Sequence, residues 1–255
     1  MTFELPLEPI VRLLLAALRA GMVLLLLPVV GGEGAPSPVR VVFSLLLGGL
    51  LVGMAPDPAS ELPATASGLV LAAGRELLIG LAIGFLCRVL LAAPALAGDL
   101  VAEQLGLKMA EDVDPMTRVP NTAPSRLYES ALLLAFLAMR GHHDVLRALH
   151  QSFAAFPVGR TTLPQGLSSL VGSLTLCVRF AVMIAAPLFA VLLVGSLSLA
   201  LLARAVPEVQ VMTFGYPLRL LGVLLAAVAL FPLLARPGAR LFEALRHSLL
   251  TLVGA

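Results

Sequence analysis

Imidazole and carboxylate side chains crowd one short polar segment, where His142, His143, Asp144 and His150 stand close together. These are ligand types that zinc accepts, but a zinc site needs three or four convergent ligands. His143 and His150, seven residues apart, share one face of a helix. No fourth ligand stands at a recognisable spacing, and histidine is also favoured near helix ends by the helix dipole. The segment is therefore read without a metal. Cys87 and Cys177 each lie inside an apolar run, where a thiol acts as a small hydrophobe and a disulfide framework is not expected. The chain has no phosphate-cradling glycine loop, HExxH, GxSxG or CxxC motif. Enzyme chemistry has no residues to stand on, and no cofactor is implied.

A different set of charges carries more information. Arg19, Arg75, Glu76, Arg88 and Arg179 all fall inside apolar runs. An ionisable group at such a position is by default functional or paired. For Arg75, Glu76 and Arg88 two roles remain open, lining a polar pathway or forming ion pairs between subunits, while Arg19 must snorkel or face protein or water. Gly80 and Gly84 form a GxxxG step beside Glu76, and such steps let two helices approach closely.

The longest polar interruption, Gly98 to Arg126, holds Asp99, Glu103, Glu111, Asp112 and Asp114 against Lys108, Arg118 and Arg126. Pro115, Pro120, Asn121 and Pro124 bar a continuous helix across its second half, because proline lacks the amide donor and restricts its predecessor. The stretch is expected to be a helix end followed by an irregular loop. Irregular backbone between hydrophobic spans must face water or be buried in protein, since lipid cannot satisfy its amides. A surface loop and a loop lining an aqueous passage both meet that condition.

The elements that position these groups are apolar helices. The 255 residues are 59% hydrophobic and 13% charged, with a mean hydropathy of +1.01, whereas soluble domains carry about 25% charged residues. The composition is that of an integral membrane protein. A net charge of +2 from scattered bases excludes a nucleic-acid-binding face, which needs clustered positive charge. Glu4 and Glu8 occupy the place where a secretory signal would be basic, so the first helix is expected to stay in the mature protein.

Ile10 to Val30 is about one bilayer span long, and Val39 to Met54 is shorter than the ~20 residues a perpendicular span needs. Gly68 to Ala97 would reach about 45 Å if wholly helical, against about 30 Å of hydrocarbon. Leu167 to Ala203 is also too long for one simple span and contains Pro187, so a kinked helix or two pieces are expected. After a turn at Pro207 to Gly215, Leu218 to Ala235 runs back toward Arg236, Arg240 and Arg246 as a helical hairpin. The positive-inside rule cannot place both the Arg204 and Arg219 end and the Arg236 to Arg246 end in the cytoplasm. These helices do not simply cross a bilayer in succession.

Several separated patterns together resemble one family, the FliR/SctT proteins of flagellar and virulence type III secretion export gates. Arg19 with Pro28, then Pro38-Val39-Arg40, are similar to its first-helix and linker pattern. Gly98, Gln104, Gly106 and Asp114-Pro115 resemble its central motif. Gly141-His142-His143 with Ser152-Phe153 and Pro157 resemble the next, and Arg204, Pro207, Gly215 and Pro217 the last. The order and spacing of these patterns cover nearly the whole chain. One departure stands at Gln210, where the family usually has asparagine.

The resemblance implies an all-α membrane protein, with a FliP-like N-terminal part over residues 1–160 and a FliQ-like hairpin over 161–255. It implies a subunit of the export gate in the bacterial inner membrane, passing unfolded protein substrates. Its partners would be FliP/SctR-like, FliQ/SctS-like and FlhB/SctU-like proteins in a hetero-oligomer. The loop matching Lys108 to Pro124, with Lys108, Met109, Glu111, Asp112, Asp114, Pro115 and Arg118, would act as a plug in the pore. Arg19, Arg75, Glu76, Arg88 and Arg179 would be buried charges for subunit contacts. Gly80 and Gly84 would pack helices, and Arg204, Pro207, Gln210, Gly215 and Pro217 would form the hairpin tip. The competing class is a small-solute secondary transporter, which tends to show two related halves around a midplane site. No such repeat is visible.

Overall fold

The computed structural model describes residues 7–28, 36–54, 62–105, 123–159, 168–205, 221–222, 225 and 235–253. Among these, eight helices of twelve residues or more follow one another: α1 (Leu7–Leu26), α2 (Ser37–Gly53), α3 (Ala66–Leu91), α4 (Ala93–Gln104), α5 (Ala123–Ala138), α6 (Gly141–Ala155), α7 (Ser168–Ala205) and α8 (Ala235–Val253). The fold is all-α, as expected. The helical stretches Leu7–Leu26, Ala66–Gln104 (α3 followed by α4) and Val171–Leu202 are long and apolar enough to cross a membrane.

Proline marks several of the boundaries. Pro38 lies in the first turn of α2 and Pro124 in the first turn of α5, where the missing amide has no intrahelical partner to lose. The expected 68–97 helix is instead divided. Its first part ends at Leu91, and Pro94 stands in the first turn of α4, because a proline there cannot continue the ladder of the preceding helix. Pro187 is accommodated inside α7, which is one helix rather than two pieces.

The chain forms two compact units. The first collects residues 1–90, 136–175 and 243–255. In it, α1 buries Leu15, Arg19 and Val23 at four-residue spacing, with Ala16, Ala20 and Leu24 beside them. This is the single-faced pattern of a helix packed on one side. α1 packs against α2, and the small residues set the distance. A Cβ on Gly48 would stand 2.7 Å from the Ala17 nitrogen, whereas Gly53 at the end of α2 faces open space.

A turn joins α5 to α6. Arg140 adopts the left-handed conformation with φ of 60°, and a Cβ on Gly141 would run into the Phe136 ring.

The second unit collects residues 91–135 and 176–242. Its core joins Ala97, Val101 and Leu105 of α4 with Tyr128 of α5 and Ile184, Ala185, Leu188 and Leu192 of α7. The expected boundary between residues 160 and 161, and most of the expected hairpin tip, lie outside the described residues.

Candidate functional site

Within the first unit, three of the singled-out charges converge. Arg19 of α1 and Glu76 of α3 are both 0% exposed, and the Arg19 Nε donates to Glu76 Oε2 at 2.5 Å. Isolated burial of either charge would be prohibitive, so pairing alone is not enough; the remaining donors also need acceptors. The end of α6 supplies them. Arg19 Nη1 donates to the Ser152 carbonyl at 2.8 Å and to Ser152 Oγ at 3.2 Å, and Nη2 donates to the Phe156 carbonyl at 2.8 Å. The guanidinium also lies 4.3 Å from the centre of the Phe153 ring, an attractive position for a cation.

Arg75 adds a second positive charge. Its Nη1 donates to the Pro157 carbonyl at 3.0 Å and lies 3.9 Å from Glu76 Oε1. Two arginines therefore face one carboxylate. The excess positive charge sits where the last carbonyls of α6 and the residues after it point. The C-terminal end of a helix carries partial negative charge, which favours cations there. Arg19 and Arg75 act as a double cap on α6.

The glycine step sets the reach of this junction. Glu76, Gly80 and Gly84 follow at four-residue intervals and lie on one face of α3. A Cβ on Gly80 would stand 2.5 Å from the Arg19 carbonyl oxygen and 2.9 Å from Met22 Cβ. One on Gly84 would stand 2.9 Å from Leu26 Cβ. Contacts that short are repulsive for carbon, so only residues without a side chain let α1 lie this close to α3.

The second unit holds a comparable close contact at the base of the polar stretch. A Cβ on Gly98 of α4 would stand 2.6 Å from the Ser125 nitrogen and 2.8 Å from the Pro124 carbonyl carbon. The Ser125 hydroxyl donates to the Ala95 carbonyl at 3.0 Å. α4 and the start of α5 are thus clasped together. Nearby, the Tyr128 hydroxyl is buried with no hydrogen-bond partner among the described residues. Burial in an apolar cluster opposes the phenolate and pushes its pKa up to about 12.

Comparison with known proteins decides the family. The profile of the family described as "Bacterial export proteins, family 1" matches residues 10–245. The chain belongs to this family. Over 211 residues it is 30% identical to the flagellar biosynthetic protein FliR of Escherichia coli K12, covering 82% of this chain and 79% of that protein. It is 28% identical to FliR of Caulobacter vibrioides over 214 residues, 83% of this chain and 85% of that one. It is 26% identical over 154 residues to the Yop proteins translocation protein T of Yersinia pestis, 59% of each chain. The FliR/SctT membership makes the protein a membrane-embedded component of a type III secretion export apparatus.

In this FliR/SctT chain the sequence-predicted residues separate into three groups. Arg19, Arg75, Glu76, Gly80 and Gly84 come together as described. Arg19 and Arg75 share the single carboxylate of Glu76 within this chain. Arg88, Arg179 and Arg204 are exposed in this chain. Lys108, Met109, Glu111, Asp112, Asp114, Pro115 and Arg118 lie outside the described residues, as do Pro207, Gln210, Gly215 and Pro217.

The histidines do not converge. The rings of His142 and His143 are 4.3 Å apart, Asp144 pairs with Arg147 at 3.5 Å, and no group of three metal-ligating side chains occurs among the described residues. The role of Ser152 and of the α6 end was missed from sequence. Backbone carbonyls leave no signature in residue type, although the polar Ser152 on an otherwise apolar helix face was a clue.

Proposed function

We propose that this protein is a channel-forming subunit of the type III protein export gate, assembled with FliP/SctR-like, FliQ/SctS-like and FlhB/SctU-like partners in the bacterial inner membrane. It performs no covalent chemistry and helps to shape a passage for unfolded protein substrates. The stretch expected as a plug from Lys108 to Pro124 acts as one in that passage up to residue 122, since Ala123 begins α5. The observation that carries this assignment is the Gly98–Ser125 clasp, which holds the base of the polar stretch on a packed core. Uncovered apolar side chains along α7, including Val178, Val182, Leu193 and Leu197, supply surface for lipid or neighbouring helices.

Co-expression with tagged candidate partners from the same genome tests the assignment. A defined hetero-oligomer by native mass spectrometry is expected. A protein that instead purifies as a stable solute-binding monomer, and never with those partners, overturns it in favour of a secondary transporter.

A further inference from the structure

We propose that α7 is hinged at Pro187 and exchanges between two arrangements, one in which the segment beyond the proline covers Tyr128 and one in which it lifts away. Proline has no amide hydrogen, so the Met183 carbonyl one turn earlier loses its ladder donor and the helix is weakened there. Packing changes at the same point. Before the proline, Phe180, Ala181, Ile184 and Ala185 are buried, and Leu188 follows directly after it. From Phe189 to Ala205, Leu192 is the one buried side chain among the described residues.

The segment beyond the pivot is soft as well as uncovered. A Cβ on Gly195 would meet nothing within 4 Å, so no close contact requires glycine there, and glycine weakens a helix. Ser196 and Ser198 donate their hydroxyls to the Leu192 and Val194 carbonyls at 2.8 and 2.9 Å. Such bonds compete with the backbone ladder and bend helices.

Tyr128 supplies the force that opposes closure. It belongs to the cluster that contains Ile184, Ala185, Leu188 and Leu192, and its buried hydroxyl has no hydrogen-bond partner among the described residues. The covered arrangement therefore carries the desolvation cost of one hydroxyl. Leu192 is the cluster member that moves furthest with the distal segment, and its withdrawal uncovers the tyrosine to water. Exposing one leucine costs about what pairing one buried hydroxyl regains, so the two arrangements lie close in free energy. Exposed Leu193, Val194, Leu197 and Leu201 travel with the segment, so the hinge moves the surface that α7 offers its neighbours. It operates whether or not the protein conducts.

Double electron–electron resonance on the full-length chain, purified with the subunits that accompany it, tests the hinge. The buried Cys87 and Cys177 are replaced by alanine. One spin label is placed at exposed Leu134 of α5, and the other at exposed Val182 before the pivot or Leu197 beyond it. The distance from 134 to 182 should be single, and that from 134 to 197 should fall into two populations. Pro187→Ala restores the ladder donor and should leave one. Tyr128→Phe removes the penalty of the covered arrangement and should lower the lifted fraction at least about fivefold. Gly195→Ala lies beyond the pivot and should keep both populations. A single distance from 134 to 197 in the parent protein, or two populations that neither Pro187→Ala nor Tyr128→Phe alters, overturns the proposal. So does their collapse on Gly195→Ala but not on Pro187→Ala, which would put the pivot elsewhere.

Discussion

Gly80 lies one helical turn beyond Glu76, directly against the carbonyl of Arg19, the residue whose side chain Glu76 holds. The close approach and the ion pair are thus two parts of one seam. Widening the seam with a side chain would lengthen the charge contact as well as strain the packing. Gly80→Ala is expected to destabilise the protein by about 1–3 kcal/mol, as overpacking does, and Gly80→Leu or Gly84→Leu to prevent assembly. Gly74 is the control. It faces open space on the same helix, so Gly74→Ala should stabilise by about 0.5–1 kcal/mol. Thermal unfolding in detergent, with co-purification yield, separates the two; equal effects at 74 and 80 would remove the seam.

Arg19→Met leaves Glu76 buried with its principal donor gone, and Glu76→Gln leaves two arginines without their carboxylate. Each single change is expected to cost about 3–5 kcal/mol, whereas a double replacement by apolar residues of similar volume should recover much of the loss. A double-mutant cycle measured by unfolding midpoints supplies the coupling. Additive losses would mean that the two residues act separately.

The positions of these groups were partly legible beforehand. Arg19, Arg75 and Glu76 stood out because each is a charge in an apolar run, and Gly80 and Gly84 because of their spacing. Their mutual pairing was not legible. It depends on α6 being brought to α1 and α3 from far along the chain, with Arg19 and Ser152 separated by more than a hundred positions, and on backbone carbonyls that no residue type reveals. Pro124 bars a helix from running through it, yet it stands in the first turn of α5, the one place where a helix tolerates proline. The histidine segment drew attention by composition alone. His142 and His143 meet ring to ring, but no third metal-ligating side chain joins them among the described residues.

Arg140 occupies the left-handed region at the turn between α5 and α6. A non-glycine residue held there typically carries strain of order 1 kcal/mol. Arg140→Gly should therefore be neutral or raise the melting temperature, because glycine's greater unfolded-state freedom offsets part of the relief. Arg140→Val should lower it, since a β-branched residue fits this conformation worst. A lower melting temperature for the glycine variant than for the valine variant would contradict the turn geometry.

The Tyr128 phenol is neutral in its buried setting, with its pKa raised to about 12. A raised folded-state value contributes stability that is fully present below the ordinary tyrosine pKa of about 10 and is lost as pH rises through about 12. Spectroscopic titration of Tyr128 in a Tyr216→Phe background should show ionisation only near that upper limit, coincident with loss of structure. Tyr128→Phe removes a buried hydroxyl that has no partner among the described residues, so it should be neutral or stabilising by about 1 kcal/mol. Titration near 10 in the folded protein would place the hydroxyl in water.

The most direct measurement of the channel assignment is permeability of the inner membrane to ions or a small dye, with the polar stretch shortened within residues 108–122. Ala123 begins α5, so the excision must end before it and leave the Gly98–Ser125 clasp whole. At matched assembly levels the shortened protein should leak more than the wild type in the absence of export substrate, and Glu111, Asp112 and Asp114 replaced together by alanine should leak to a lesser degree. Removing a segment that favours the closed state shifts the gate toward opening without altering its wall. Equal permeability of the shortened and wild-type assemblies would contradict the account and leave residues 106–122 as a surface connection.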